Sequence, residues 1–202
     1  MKNMVVFISG SGTNLQALLD WQEQGKLKAK IALVVSNKSD AFGIQRAQKS
    51  NIPTVVLDHK DYSSREEHEK AIEKYLQEYK IELIVLAGYM RLLTSDFVKK
   101  WIHKIINLHP SLLPSFTGVN AIEQAFKYGV KVSGVSTIFV DEGVDTGLII
   151  LQDIVKITSD DSLESLEEKI HNLEHILLPQ TVNVVASGNF SIQGRKVIIN
   201  SN

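Results

Sequence analysis

Short, wholly apolar runs alternate with charged, amphipathic ones along the first half of the chain. "MVVFIS" (4–9), "IALVVS" (31–36), "TVVLD" (54–58), "LIVLAG" (83–88) and "IINLH" (105–109) have the length and β-branched content of strands. None alternates apolar and polar positions as a strand with one wet face would, which suits a parallel sheet covered on both sides. Helical patterns lie between them: "NLQALLDWQEQG" (14–25), "AFGIQRAQKS" (41–50), "SSREEHEKAIEKYLQEY" (63–79) and "SDFVKKWI" (95–102). This β-α-β-α order predicts an α/β fold: an open, doubly wound, mostly parallel sheet with helices on both faces.

The second half is patterned differently. "AIEQAFKYG" (121–129) reads as a helix, and "VSTIFVDE" (135–142) and "LIILQDIVKI" (148–157) as strands joined through a glycine-containing loop, in the manner of a hairpin. Residues 161–188 form one long helical pattern, with Leu163, Leu166, Ile170, Leu173 and Leu177 on its apolar face and Asp161 with Glu164 as the expected N-terminal capping pair. "FSIQGRKVII" (190–199) reads as a last strand pair. With no repeat, low-complexity tract or linker, residues 1–202 are expected to form a single domain.

Composition narrows the chemistry. The charge balance of 22 basic and 23 acidic residues, without a long basic run, gives no footprint for nucleic acid. The apolar part of the N-terminal stretch is too short for a signal segment or a membrane span, so a cytoplasmic protein is expected. There is no cysteine, which excludes disulfides, thiolate nucleophiles and cysteine-ligated metals. Reactive groups must come from His, Asp, Glu, Asn, Ser, Lys or Arg.

Five stretches carry candidate chemistry. "SGSGTN" (9–14) follows the first strand and opens the first helix, where backbone N–H groups attract anions. It lacks the Gly-Lys-Ser/Thr of a Walker loop, and Leu15 stands where a dinucleotide fingerprint has its third glycine. It reads equally as a tight turn capped by Thr13 or Asn14. "INLHPSLLP" (106–114) ends the fifth strand, and the carboxyl edge of a doubly wound sheet is where ligands bind. Asn107 and His109 are two apart and so share a side; an amide donor beside an imidazole can stabilise an oxyanion and move a proton. A strand-end histidine satisfied by a loop carbonyl is the plainer alternative. "VDEGVDTG" (140–147) supplies Asp141, Glu142 and Asp145 on a loop expected at the same edge, where acidic residues also serve as solvated turn formers. "HNLEH" (171–175) places two histidines one helical turn apart, but without the H-E-x-x-H glutamate or a third ligand it reads as a solvated face rather than a metal site. Arg91, in "GYMRLL" (88–93), can bind a carboxylate or cap a helix.

Together these stretches resemble the phosphoribosylglycinamide formyltransferases, folate-dependent enzymes of purine synthesis within the wider 10-formyltetrahydrofolate transferases. The likeness runs from Met4 to about Pro179 through "FISGSGTNLQAL", "SNKSDAFGIQRA", "LAGYMRLL", "INLHPSLLPSFTG", "VDEGVDTGLIILQ" and "LEHILLP". The Asn-x-His-Pro-Ser-x-Leu-Pro core marks the chemistry; the glycine loop and single-domain length mark the purine enzymes within it. The resemblance implies a catalytic trio of Asn107, His109 and Asp145. It implies substrate contacts from Gly12, Thr13 and Asn14, which hold the phosphate, and from the turn His171, Asn172, Leu173 and Glu174. Folate contacts would come from Arg65, from Met90, Arg91, Leu92 and Leu93, from Asn107, and from Asp141, Glu142, Gly143, Val144 and Asp145. Residues 1–110 would form a nucleotide-phosphate-binding half, and 111–202 a folate loop, long helix and C-terminal tail. The expected co-substrate is 10-formyltetrahydrofolate, with no metal, no nucleic acid and no membrane partner, in a monomer or homodimer. Another formyltransferase or hydrolase using the same co-substrate, or a catalytically weak folate-binding homologue, are the alternatives. Ile138, Thr117, Leu148, Asn120 and Ile122 depart from the family pattern; Ile138 stands where histidine is expected.

Overall fold

Strand β1 (Lys2–Ile8) is covered on both sides: Met4 through Ile8 are all fully buried. That is why its sequence shows no alternation. It is the hub of a seven-stranded sheet ordered β3-β2-β1-β4-β5-β6-β7 in a computed structural model that describes residues 1–200. Strands β2 (Ala29–Ser36), β3 (Thr54–Val56), β4 (Leu83–Leu86) and β5 (Ile105–His109) continue the parallel part. Strands β6 (Val132–Phe139) and β7 (Ile149–Lys156) form the expected hairpin, β6 running antiparallel to β5 and β7 antiparallel to β6. The chain winds from β1 outward through β2 and β3, then returns to the other side of β1 as β4. The switch point of the doubly wound sheet therefore lies between β1 and β4.

Alternate side chains of the parallel strands feed two cores. Met4, Val6, Ile8, Ile31 and Val85 pack with Leu15 and Leu18 of α1 (Thr13–Glu23) and with Leu178 and Val182 of α6 (Leu163–Ser187). Val5, Phe7, Leu33, Val35 and Ile84 pack on the opposite face with Ile72 and Leu76 of α3 (Arg65–Glu78) and Phe97 and Val98 of α4 (Ser95–Lys100). Burial of each such side chain contributes about 1.5–3 kcal/mol. Helix α2 (Phe42–Lys49) lies beside α1, and α5 (Ala121–Tyr128) packs Ile122 toward α6. A C-terminal hairpin, β8 (Phe190–Gln193) with β9 (Lys196–Ile199), docks Phe190, Ile192 and Val197 on the first core.

Two helix starts differ from the sequence expectation. Helix α6 is capped by Ser162 in a reciprocal box with Ser165, not by Asp161 with Glu164. Asp161 has a stronger cationic partner in Lys169, whose Nζ lies 2.6 Å from its Oδ1. Helix α1 starts from Gly12 in the left-handed region (φ 71°), with no side-chain cap from Thr13 or Asn14. A Cβ at Gly12 would lie 2.6 Å from Gly43 Cα, so this turn admits only glycine. No helix among the described residues is long and apolar enough to cross a membrane.

Candidate active site

The loops after β1 and β4 flank the switch point, and β5 ends beside them, so three of the motif stretches meet at one crevice. Loop 9–12 is held from behind. Arg46 of α2 donates from Nε to the Ser11 carbonyl at 2.9 Å, and Gly43 N–H donates to Gly10 O at 3.0 Å. Its first-turn N–H groups stay available to an anion.

Asn14 does not face outward as a simple phosphate donor would. Its Nδ2 donates to Glu174 Oε2 at 3.0 Å, across 160 positions of sequence. His171 Nδ1 lies 3.0 Å from the same oxygen. Glu174 is only 4% exposed, so the solvated helix face expected for 171–175 is incorrect at this residue. A buried carboxylate needs such donors, because an unpaired one costs several kcal/mol. Its hydrogen bond raises the His171 pKa above the ordinary histidine value, against the opposing effect of partial burial. Asn14 Oδ1 is buried and has no partner among the described residues, leaving an acceptor for a ligand N–H or O–H. Asn172 is exposed and Leu173 packs toward the third core beneath α6.

His109 is 5% exposed at the tip of β5. Its Nδ1 is 3.3 Å from Asp145 Oδ2, and its Nε2 is 2.7 Å from the Phe116 carbonyl. Both neighbours are acceptors, so the ring is held between a carboxylate and a carbonyl. The loop carbonyl expected as the plainer partner is present, and the Asp145 carboxylate implied by the resemblance lies beside it. Asp145 also accepts from Gly118 N–H at 2.8 Å and has a left-handed backbone (φ 56°). The expectation that its loop springs from the active edge is corrected. Because β6 runs against β5, Phe139 leaves the sheet level with Ile106, three residues before His109. Asp145 reaches His109 because the connection to β7 is long enough to climb back. Asn107 is partly exposed, and its amide makes no hydrogen bond to any described residue; its cross-strand neighbour is the fully buried Ile138. A carboxylate–imidazole pair beside a free amide can polarise a carbonyl and move a proton.

The third region is apolar and open. Met90 is 73% exposed, Leu92 60% and Val144 51%. Arg91 and Leu93 are partly buried, while Arg65, Glu142 and Gly143 are exposed, Glu142 facing Lys99 at 3.5 Å. Asp141 turns inward to accept from Gly143 N–H at 3.1 Å and Thr146 Oγ1 at 2.7 Å. Two buried groups not legible in the sequence anchor segment 90–94. Ser9 Oγ accepts from Met90 N–H at 2.9 Å and donates to Asn37 at 2.6 Å. Glu69 accepts from Thr94 N–H at 2.7 Å and from its hydroxyl, and burial raises the Glu69 pKa. No cluster of three or more His, Asp or Glu side chains suited to a metal occurs among the described residues. A separate cleft of about 440 Å³, lined by Lys2, Trp101, His103 and Phe190 among others, contains none of the motif residues.

A doubly wound sheet with this crevice and this His–Asp–Asn set defines a class. The chain belongs to the formyl transferase family, which matches residues 2–182. Within it, the chain is 42% identical over 193 residues to the phosphoribosylglycinamide formyltransferase of Haemophilus influenzae, covering 96% of this chain and 91% of that protein. It is 47% identical over 185 residues to the trifunctional purine biosynthetic protein adenosine-3 of Gallus gallus, covering 92% of this chain but spanning only 18% of that longer protein. Its fold superposes on glycinamide ribonucleotide transformylase 1 from Symbiobacterium toebii with a TM-score of 0.96 at 41% identity, covering 100% of this chain and 95% of that one.

Proposed function

We propose that this chain transfers the formyl group of 10-formyltetrahydrofolate to the amine of 5-phosphoribosylglycinamide, a step of de novo purine synthesis. The observation that carries this reading is the Asn14–Glu174 bond. It joins an anion-binding helix start to a buried carboxylate. A substrate with a phosphate at one end and an amine at the other uses both; a hydrolase acting on the folate alone needs neither.

In this reading the backbone N–H groups at Gly12, Thr13 and Asn14 hold the phosphate end, and Glu174, set by His171, receives the amine. The folate lies along Met90–Leu93 and the 141–145 loop, with Arg65 and Arg91 toward its acidic groups. The amine attacks the formyl carbon and a new C–N bond forms. The oxyanion that develops is met by the free Asn107 amide and by His109, which Asp145 orients. The bond from the formyl carbon to the folate nitrogen then breaks. The attacking nitrogen gives up a proton and the departing nitrogen gains one, a transfer within reach of His109. Phosphate binding away from the reacting atoms fixes the approach of the amine. Residues 1–110 and 111–202 act as two halves of a single domain, in the cytoplasm, as a monomer or homodimer without a metal.

A spectrophotometric assay of tetrahydrofolate release tests the reading. Release should require phosphoribosylglycinamide and persist in chelator. Release with free formate and no acceptor would identify a hydrolase, and folate binding without turnover a weak homologue.

A further inference from the structure

We propose that Arg195, in the turn of the C-terminal hairpin, is a positioning residue for the Asp145–His109 pair. The proposal rests on the catalytic reading of that pair given above. Arg195 lies outside residues 2–182, the part of the chain that matches the family. Its Nη2 donates to the Thr146 carbonyl at 2.8 Å and approaches the Gly147 carbonyl at 3.5 Å. Thr146 is the residue directly after Asp145.

The loop that carries Asp145 needs an external hold. Asp145 has a left-handed backbone, which a non-glycine residue keeps only when its surroundings fix it. The bonds from Asp141 to Gly143 and Thr146 tie the loop only to itself. The Lys99–Glu142 pair is more than half exposed at both ends and screened by solvent. Gly118 N–H and His109 meet only the Asp145 carboxylate, whereas Arg195 supplies a charge-assisted bond to the loop backbone from a separate element. That element is anchored: β8 and β9 pair over four residue pairs, and Gly194 (φ 59°) makes the turn. Phe190 packs its ring at a tilt against Phe139, the last residue of β6, at 5.4 Å between ring centroids. The hairpin thus grips the loop at both ends, Phe139 where it leaves the sheet and Thr146–Gly147 where it returns.

A guanidinium spans two carbonyls in one plane, whereas an ammonium meets one as a point charge. Loss of the clamp lets Asp145 drift, and a misplacement of about 1 Å in a catalytic group can cost up to about 10²-fold in rate. Arg195→Ala should lower turnover about 10-fold. The Michaelis constant for phosphoribosylglycinamide should hardly change, because Asn14 and Glu174 sit on α1 and α6, which Arg195 does not touch. Arg195→Lys should recover part of the loss. The decisive comparison repeats Arg195→Ala in an Asp145→Asn background, where a residue acting only through Asp145 has nothing further to remove. Amide hydrogen exchange of 142–147 is measured in parallel and should quicken in Arg195→Ala while α6 stays protected. An equal loss of turnover in both backgrounds, or unchanged exchange in the loop, overturns the proposal. If the parent protein shows no formyl transfer, it is the functional reading that fails, and the exchange measurement alone decides whether Arg195 braces the loop.

Discussion

His109 has acceptors on both ring nitrogens, and one of them, Asp145, is itself held by Gly118 N–H and is only 10% exposed at its side chain. The two side chains form one unit with a shared orientation. Asp145→Asn keeps the size and the contact to Gly118 but removes the negative charge beside the imidazole. It should lower turnover by about 10²-fold or more, as loss of an acid–base partner does. Combined with His109→Ala it should cost far less than the product of the two single losses, read from kcat of the four proteins. Multiplicative losses would separate the residues mechanistically. Asn14 acts at the other end of the crevice. Asn14→Ala removes a donor from the buried Glu174 oxygen as well as the amide beside the glycine loop. The Michaelis constant for phosphoribosylglycinamide should rise about tenfold or more, the 1.4 kcal/mol scale of a hydrogen bond to a charged group. That for 10-formyltetrahydrofolate should stay nearly constant. Equal changes in both would point to a disturbed fold instead.

Elements, rather than single residues, set the distance between the two substrate regions. The glycine loop leaves β1 and segment 90–93 leaves β4, and these are hydrogen-bonded neighbours at the switch point. Ser9 spans the gap, tying β1 to Met90 of the segment after β4 and to Asn37 at the end of β2. Ser9 is 5% exposed and Asn37 2%, so Ser9→Ala leaves a buried amide oxygen without its donor, at a cost of about 1–3 kcal/mol. The expected outcome in denaturant titration is a loss of that size. Kinetically, the folate Michaelis constant should rise more than that of the glycinamide substrate, since Met90 loses its anchor while Arg46 still holds the loop. The reverse ranking would place Ser9 with the phosphate loop alone.

For the whole molecule, three histidines give stability opposing dependences on pH. His68 is 4% exposed, with Nε2 3.0 Å from the Leu57 carbonyl and its ring against Tyr62. Burial lowers its pKa below the ordinary value of 6.5 against the opposing hydrogen bond to Leu57, with Arg91 and His59 adding to the effect and Asp58 also opposing it. Burial lowers His175 as well, with nearby His171 and Arg46 acting in the same sense and Glu174 and Asp20 against it. For both, the neutral form belongs to the fold, so their contribution is present above 6.5 and is lost as pH falls from there through the lowered folded value. His171 has the opposite sign: its raised pKa contributes fully below 6.5 and fades as pH rises through the folded value. His68→Gln, which keeps a donor for Leu57, should flatten the fall in thermal midpoint on acidification. His171→Ala should lower the midpoint at acid pH and leave it unchanged at alkaline pH. Parallel pH profiles for parent and His68→Gln would remove His68 from the balance.

The apolar runs 4–9, 31–36, 83–88 and 105–109 determined their own strands, because burial on both faces is written into a central parallel strand; run 54–58 gave the edge strand β3, which is only partly covered. The same local logic placed the helices between them and set His109 at a strand tip. It also supported the formyl transferase family, whose motif residues lie close together in sequence. What local pattern does not carry is which distant groups meet. Asn14 and Glu174 are 160 positions apart, and only the packing of α1 on α6 turns a helix-face glutamate into a buried one. The Phe116 carbonyl against His109 is backbone, so residue type gives no sign of it. The cap of α6 went to Ser162 because Lys169 claimed Asp161. Asp145 lies on a loop that starts at the other end of β5, and it reaches His109 through a path set by the β6–β7 hairpin and clamped by Arg195. Periodicity reports which side of an element is dry; the partners that satisfy its polar groups are chosen only when the whole chain has packed.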